Sequence, residues 1–599
     1  MSVVGRRGWW AVVVTALFTL MSIPAQAQFP PDVYLSQTPA DVTVYGAAQN
    51  DKTGFDLVSG DFNGDESRDL VILSPGSAAY GSAFFHILWG PGPLDSVIDL
   101  ATYQDPISKV SAPIGEAGIP CSITFGDFNG DGLDDIALGI VFRYPEVNTD
   151  GKVYIILGAL SFPDAIDLAN PNSNVAGVYP VPGSAGWLGE SMASGDINGD
   201  GYDDLVLSAP AYDPGGRVYI IYGRETFPES IHLATVQGRI TRIIDPYSWQ
   251  ATGEGLACKD INHDGFDDLL IGSPGEAEGY EQGIVSVLFG SPAMPSVIYL
   301  YDNAPGIKKF WGEYPHGQLG WRVAIGDLNK DGTEELILAA QMADPLGCQD
   351  CGELYVVSWD ENLPDSIYVG ATTVPIKRLL GAGIEQCYGE RVTCADVTGD
   401  GYDDLLIRSN RDLANPSDVS KVTVVYGSTN LPDTISLATD SLVTRFYAEK
   451  RADDFGRGLG TGDVNGDGIT DIFVGANAAS PSGRIEAGKA YVFFGMPTLT
   501  AVQSIPAPKV QLLQNYPNPF GTSTTIEYKL DTISPVRFAI YDVLGRRVTK
   551  MEFPPQSGGR HWVTWDGLDA RGHKVGSGIY FYRLTAGDKA VTKKMVLLR

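Results

Sequence analysis

An acidic nonapeptide that returns seven times at a nearly constant interval constrains this chain more than any other feature. It reads DFNGDESRD from Asp61, DFNGDGLDD from Asp127, DINGDGYDD from Asp196, DINHDGFDD from Asp260, DLNKDGTEE from Asp327, DVTGDGYDD from Asp396 and DVNGDGITD from Asp463. Successive first residues lie 66, 69, 64, 67, 69 and 67 positions apart. A period of that size signals a repeat architecture, in which each unit buries its apolar surface against its neighbours.

Inside the nonapeptide, oxygen-bearing side chains occupy places 1, 3, 5 and 9, and glycine usually occupies place 6. A hard cation of calcium's size takes about 6–8 oxygens at ~2.3–2.6 Å, and alternate side chains on a tight turn can supply several of them. The candidate ligands are Asp61, Asn63, Asp65 and Asp69; Asp127, Asn129, Asp131 and Asp135; Asp196, Asn198, Asp200 and Asp204, with the carbonyl of Tyr202; Asp260, Asn262, Asp264 and Asp268; Asp327, Asn329, Asp331 and Glu335; Asp396, Thr398, Asp400 and Asp404; and Asp463, Asn465, Asp467 and Asp471. A helix-flanked calcium loop needs a bidentate Glu at place 12. Here the residues after place 9 of the third loop read Leu-Val-Leu-Ser-Ala, a short buried strand, so the loop is expected inside a β-hairpin. Loop one has Glu66 in place of glycine, loop five ends in Glu335 and loop six has Thr398 at place 3, so these three are expected to bind more weakly than the loops starting at Asp127, Asp196, Asp260 and Asp463.

Aligned on the loops, each repeat shows a strand ending at the loop, a second such as DLLIGSP, a third such as GRVYIIYG and an outer strand before the next loop. Four short strands per period, punctuated by Gly and Pro, predict an all-β chain: a seven-bladed propeller of four-stranded blades over residues 28–503. The segment starting FPPDVYLSQTPADVTVYG matches the tail of every later repeat, so residues near 33–46 are expected to supply the outer strand of the last blade, whose first three strands end near AYVFFG. Pairing both ends of the propeller in one blade removes an exposed edge.

DDFGRGLGTGDVNGDG (453–468), LVLSAP (205–210) and LLIGSP (269–274) resemble the FG-GAP repeats of the integrin alpha propeller. That resemblance, over roughly residues 28–500, implies calcium loops on the lower face between the first and second strands of each blade, and ligand contacts on the upper face.

The ends and the charge point the same way. Residues 1–27 read as a secretory signal, with Arg6 and Arg7, the apolar run GWWAVVVTALFTLMSI and a small-residue cleavage site ending at Ala27. No later run is long enough to be a membrane span. Net charge is −31 although residues 508–599 hold 14 basic against 7 acidic groups, so the propeller is far more acidic than the whole. Bound calcium would offset that repulsion, whereas nucleic acid is excluded as a partner. Extracellular calcium modules often have Kd values of ~10⁻⁴–10⁻³ M, compatible with loops filled outside a cell. In an exported chain Cys348, Cys351, Cys387 and Cys394 are first read as disulfide candidates, with zinc a lesser alternative, and Cys121 and Cys258 as buried small apolar residues.

A Pro-rich linker at 504–509 leads to alternating strands over 510–599, predicting a small immunoglobulin-like β-sandwich. LLQNYPNPFGTSTTIEYKL, YDVLGRRV, WDGLDARGHKVGSGIYFYRL and KKMVLL resemble the C-terminal sorting domain of the type IX secretion system. This resemblance implies the secretion machinery as a partner, with delivery across inner and outer bacterial membranes to the surface or the medium.

Neither HExxH nor GxSxG is present, and the repeating carboxylates are committed to metal. The expected function is therefore non-enzymatic: adhesion or recognition of an extracellular protein or polysaccharide. The alternatives are a lectin-like polysaccharide binder and a glycan hydrolase or lyase with its site in the central channel. Trp187, Trp249, Trp311 and Tyr314, before the inner strands, are the candidate ligand-binding residues, while Tyr80, Tyr144, Tyr212 and Tyr280 are aromatics of the variable upper loops.

Overall fold

A computed structural model describes residues 29–495 and 511–599, apart from the stretches 77–83, 91–93, 104–106, 112–118, 142–150, 169–173, 183–185, 213–214, 235–238, 248–249, 276–281, 302–305, 372–373, 413–414, 531–533, 544–545, 557–558, 570 and 587–588. The expected signal (1–27), the linker (504–509), Trp249, Tyr80, Tyr144 and Tyr280 lie outside the described residues. The chain divides into two units, Met1–Thr498 and Leu499–Arg599.

The first unit is a β-propeller built from seven five-stranded sheets. Each sheet starts with a strand that runs into an acidic loop, such as Met192–Gly195, and continues through a second, Asp204–Ala209, and a third, Arg217–Ile221. The fourth, Ile240–Ile244, is antiparallel to the third, and the fifth, Val297–Tyr299, is parallel to the fourth. The expected four-stranded blade is thus corrected to five strands. The fifth comes from the following repeat: after its own third strand the chain steps back to the previous blade's edge, pairs for three residues, and only then returns as the fourth strand of its own blade. Each blade is stitched to its neighbour by main-chain hydrogen bonds, and the outermost edge is kept short, which limits templated association.

The second strands read as continuous apolar runs because both of their faces are covered, and Asp69–Ser74 and Asp204–Ala209 are buried at every residue. The apolar core is divided among seven clusters, one between each pair of neighbouring blades. One of them joins Leu57 and Ile72 of the first blade to Phe473 and Val492 of the last, so the ring closes through packing. It also closes through pairing: Val42–Tyr45 lies antiparallel to Lys489–Phe493 as the fourth strand of the last blade. Asp32–Tyr34 pairs with Val443–Tyr447 as the fifth strand of the sixth. The inferred closure by residues 33–46 therefore holds for 42–45, and the residues just before them serve the adjacent blade.

The second unit packs a three-stranded sheet (Gln511–Leu512, Thr524–Leu530, Gly559–Trp565) and a four-stranded sheet (Arg547–Gln556, Ser534–Asp542, Gly578–Ala586, Lys589–Leu597) around a common core. Trp565 lies at its centre, edge-on to Phe520 at 5.7 Å and to Tyr580 at 5.3 Å.

Of the four disulfide candidates, Cys348 and Cys351 are bonded, whereas Cys387 and Cys394 are free thiols on different segments of the sixth blade. Cys121 is buried in the first strand of the second blade, and Cys258 is half-buried in the first strand of the fourth.

Candidate metal centres

All seven acidic nonapeptides fold alike, between the first and second strands of a blade. The place-1 carboxylate is turned inward and gathers the loop's own N–H groups: Gly199 and Asp200 donate to Asp196 Oδ1 at 2.7 and 3.1 Å, and Gly201 donates to Oδ2 at 2.9 Å. The loop from Asp463 repeats this with Gly466, Asp467 and Gly468 at 2.7, 3.1 and 2.7 Å. A chain folded so tightly needs a left-handed residue at place 6, where Gly201 has φ +85° and Gly468 φ +85°; Glu66 is held there at φ +66°.

Place 9 opens the second strand and is buried in every loop. Its two oxygens are shared between the loop and the end of the third strand: Ile197 N–H donates to Asp204 Oδ2 at 3.1 Å and Gly223 N–H to Oδ1 at 2.9 Å. Asp135, Asp268, Asp404 and Asp471 make the same pair of contacts, with glycines at 158, 290, 427 and 495. Glu335 reaches Leu328 N–H at 2.9 Å but takes the Ser358 hydroxyl at 2.7 Å, its longer side chain having moved the second contact. Place 3 lies between places 5 and 9. Asn63 and Asn129 donate to Asp65 and Asp131 at 3.2 and 3.1 Å, while Asn329 and Asn465 donate to Glu335 and Asp471 at 2.6 and 3.1 Å. Thr398 is buried and donates to Asp396 Oδ1 at 3.3 Å.

Burial, reinforced by the acids at places 1 and 5, pushes the carboxyls of Asp69, Asp268 and Asp471 up to about 7 and those of Asp135 and Asp204 up to about 8. Among the described residues, none of the acids at places 1, 5 and 9 is in an ion pair. Nor is any group of three or more His, Cys, Asp or Glu side chains among the described residues already drawn to one point, because the loop carboxylates are turned onto backbone N–H groups. The donors are all oxygen, partly desolvated and uncompensated by any cation, a set that suits a hard divalent ion.

Place 8 carries a role that place-counting missed. Asp203 belongs to loop three, yet its Oδ2 accepts the N–H of Asp127 in loop two at 2.9 Å, and its own N–H donates to the Asp127 carbonyl at 3.0 Å. Asp134, Asp267 and Asp403 clasp Asp61, Asp196 and Asp327 in the same way, at 2.8, 2.8 and 3.0 Å. The acidic doublets closing these nonapeptides were the available signal. In loop five Glu334 instead takes Lys259 at 2.8 Å.

The candidate recognition residues are not brought together. Trp187 occupies a left-handed turn (φ +58°) whose counterparts in other blades are Lys52, Ala251, Gln318, Cys387 and Asp454, so among the described residues no aromatic repeats there. Tyr314 accepts a hydrogen bond from Arg378 at 3.1 Å within an ion-pair network with Glu313 and Glu353. Arg217 covers the ring of Tyr212 at 3.6 Å. Trp311 ends the fourth strand of the fourth blade, at the outer rim. At the start of the innermost strands, Glu254 faces Arg322 at 3.5 Å and Glu390 faces Arg408 at 2.9 Å, so these acids have cationic partners.

Residues 122–156, 188–221, 253–288 and 455–493 match the FG-GAP repeat. These four segments of the β-propeller are thus similar to FG-GAP repeats. They contain the four loops whose ligand pattern is complete, starting at Asp127, Asp196, Asp260 and Asp463. Residues 518–590 match the FlgD Ig-like domain. Human phosphatidylinositol-glycan-specific phospholipase D is 34% identical over 171 residues, 27% of this chain and 19% of that protein. Integrin alpha pat-2 of Caenorhabditis briggsae is 31% identical over 177 residues, 28% and 13% of the two chains. Integrin alpha-V of Gallus gallus is 25% identical over 264 residues, 41% and 22%. The chain thus spans about a fifth or less of these relatives' length. A solved FlgD from P. aeruginosa overlaps 15% of this chain and 70% of its own at 17% identity, with a TM-score of 0.12, too shallow to carry an argument.

Proposed function

We propose that this chain is an exported, calcium-stabilised β-propeller that serves as a recognition and adhesion module, without enzymatic activity. The observation that carries the reading is the ring of inward-turned, unpaired carboxylates at one end of the blades. Calcium would be held by places 1, 3, 5 and 9 and the place-7 carbonyl, where it would neutralise acids that otherwise repel and would tie the loop to the second strand. Its role is structural, since binding only the folded state adds to stability.

Similarity to integrin alpha chains supports recognition as the propeller's task, and the variable loops on the opposite face are where a rigid scaffold carries it. Arginine pairing of Glu254 and Glu390 disfavours a catalytic carboxylate pair at the innermost strands. Among the described residues no helix is long and apolar enough to cross a membrane. The C-terminal unit is proposed as the address: its sequence resembles type IX sorting domains, and its basic balance suits docking on an acidic export surface. Deleting residues 510–599 should strand the propeller in the periplasm of a type IX-competent host; undiminished surface display would refute the address. The recognition reading is tested by probing calcium-loaded chain against surface-protein and glycan arrays, where no ligand in either class would refute it.

A further inference from the structure

The fifth strands carry side chains that neither the acidic loops nor the interblade cores use. Their third residue stands in register with the last residue of the fourth strand. In three blades both residues are rings: His232 stacks on Tyr179 at 5.1 Å and 19°, Tyr368 on Trp311 at 6.0 Å and 24°, and Tyr34 on Tyr447 at 4.5 Å and 8°. In the third blade Tyr299 stacks on Tyr301 at 5.5 Å and 24°. A ring that merely fills a core is covered on both faces. Here the outer rings are exposed, Tyr34 by 44%, Tyr299 by 46% and Tyr368 by 56%. The acidic loop joins the first strand to the second, so the fourth and fifth strands end at the opposite face, and the stacks recur along the outer shoulder of that face.

Two of the stacks, Trp311–Tyr368 and Tyr447–Tyr34, have a polar flank. Trp311 Nε1 donates to Ser366 Oγ at 2.9 Å, and the Tyr447 hydroxyl donates to Asp32 Oδ1 at 3.1 Å. Lys309 and Lys421 lie 5.7 Å from the Trp311 and Tyr447 rings, but their ammonium groups are engaged, with the Leu300 carbonyl at 2.9 Å and with Asp418 at 3.3 Å. The surface therefore offers flat rings with hydrogen-bonding neighbours and no spare cation at these two stacks, on a chain of net charge −31 that repels polyanions.

We infer that the outer rim is a binding surface for a neutral polysaccharide, each exposed ring packing on the C–H face of one pyranose. The polarised C–H groups of a sugar complement the electron-rich face of Tyr or Trp, and the flanking Ser and Asp meet its hydroxyls. One such contact is weak, but a ligand that repeats along its length engages several blades at once and gains by avidity. The stacks are set apart blade by blade, a spacing that suits a ligand repeating along its length. The inference rests on the recognition reading and gives it a ligand class.

The test is affinity electrophoresis of the calcium-loaded full chain in gels containing glucomannan, arabinoxylan, mixed-linkage β-glucan or mannan, with polygalacturonate as the acidic control. Tyr34→Ser, Tyr368→Ser and the double variant run alongside, each checked for an unchanged Tm. The expected result is retardation by a neutral polysaccharide but not by polygalacturonate, weakened ~3–10-fold by each single change and ~10–100-fold by both, as avidity multiplies the losses. Retardation unaltered in the double variant overturns the rim site and leaves recognition standing elsewhere on the molecule. Capture of a surface protein with no polysaccharide bound overturns the ligand class alone, and binding of neither overturns both readings.

Discussion

Asp127 and Asp203 hold each other across a blade boundary: the Asp127 N–H donates to Asp203 Oδ2 at 2.9 Å, and the Asp203 N–H returns to the Asp127 carbonyl at 3.0 Å. Asp127 is also place 1 of its own loop, so the clasp fixes the backbone of a residue whose side chain faces the loop interior. Asp203→Ala should leave the Asp127 N–H unpaired and cost ~1–2 kcal/mol. The expected readout is a lower Tm with unchanged calcium content. Loss of an ion would instead make Asp203 a ligand.

Glu66 is the one place-6 residue that is not glycine, and it sits at φ +66°. A left-handed backbone costs a side-chain-bearing residue ~1–2 kcal/mol. Glu66→Gly should therefore stabilise the first blade by a few tenths to ~1 kcal/mol after the extra freedom of glycine in the unfolded chain is offset. Chemical denaturation of the two proteins measures it, and a destabilised variant would show that Glu66 earns its place by another contact.

The buried place-9 acids predict opposite pH responses with and without metal. In metal-free protein, Asp69, Asp268 and Asp471 titrate near 7 and Asp135 and Asp204 near 8, all raised chiefly by burial. Their stabilising contribution is complete below the ordinary carboxylate range near 4 and is lost as pH climbs through 7 to 8. The Tm of dialysed chain should fall between pH 5 and 8.5. In saturating calcium the trend should reverse, because the ion displaces protons from its ligands. Parallel pH profiles in the two conditions would contradict the assignment.

Repeat number, the loops and closure by an N-terminal strand were legible because each leaves a periodic trace: acids at alternate places, apolar runs after them, a tail without its preceding strands. The fifth strand was not. Segments such as Ser366–Tyr368 alternate like any edge strand, and local pattern does not say which blade accepts them. Asp203 was legible as an acid at a non-ligand place, but its partner lies 76 residues away. Trp311 read as a residue preceding an inner strand because that stretch and the end of a fourth strand are contiguous in sequence; only pairing with Ser366–Tyr368 puts it on the rim. Cys387 and Cys394 joined the disulfide set by proximity in sequence, and the fold holds them on separate segments.

Calcium content and thermal stability measured together test the central claim most directly. Full chain dialysed into 1 mM calcium, a concentration at the scale where extracellular modules fill (~10⁻⁴–10⁻³ M), should retain several ions per chain by elemental analysis. Asp200→Ala should retain about one fewer, and removal of all metal should lower Tm substantially. A chain that holds no calcium, or whose Tm is the same with and without it, would contradict the account.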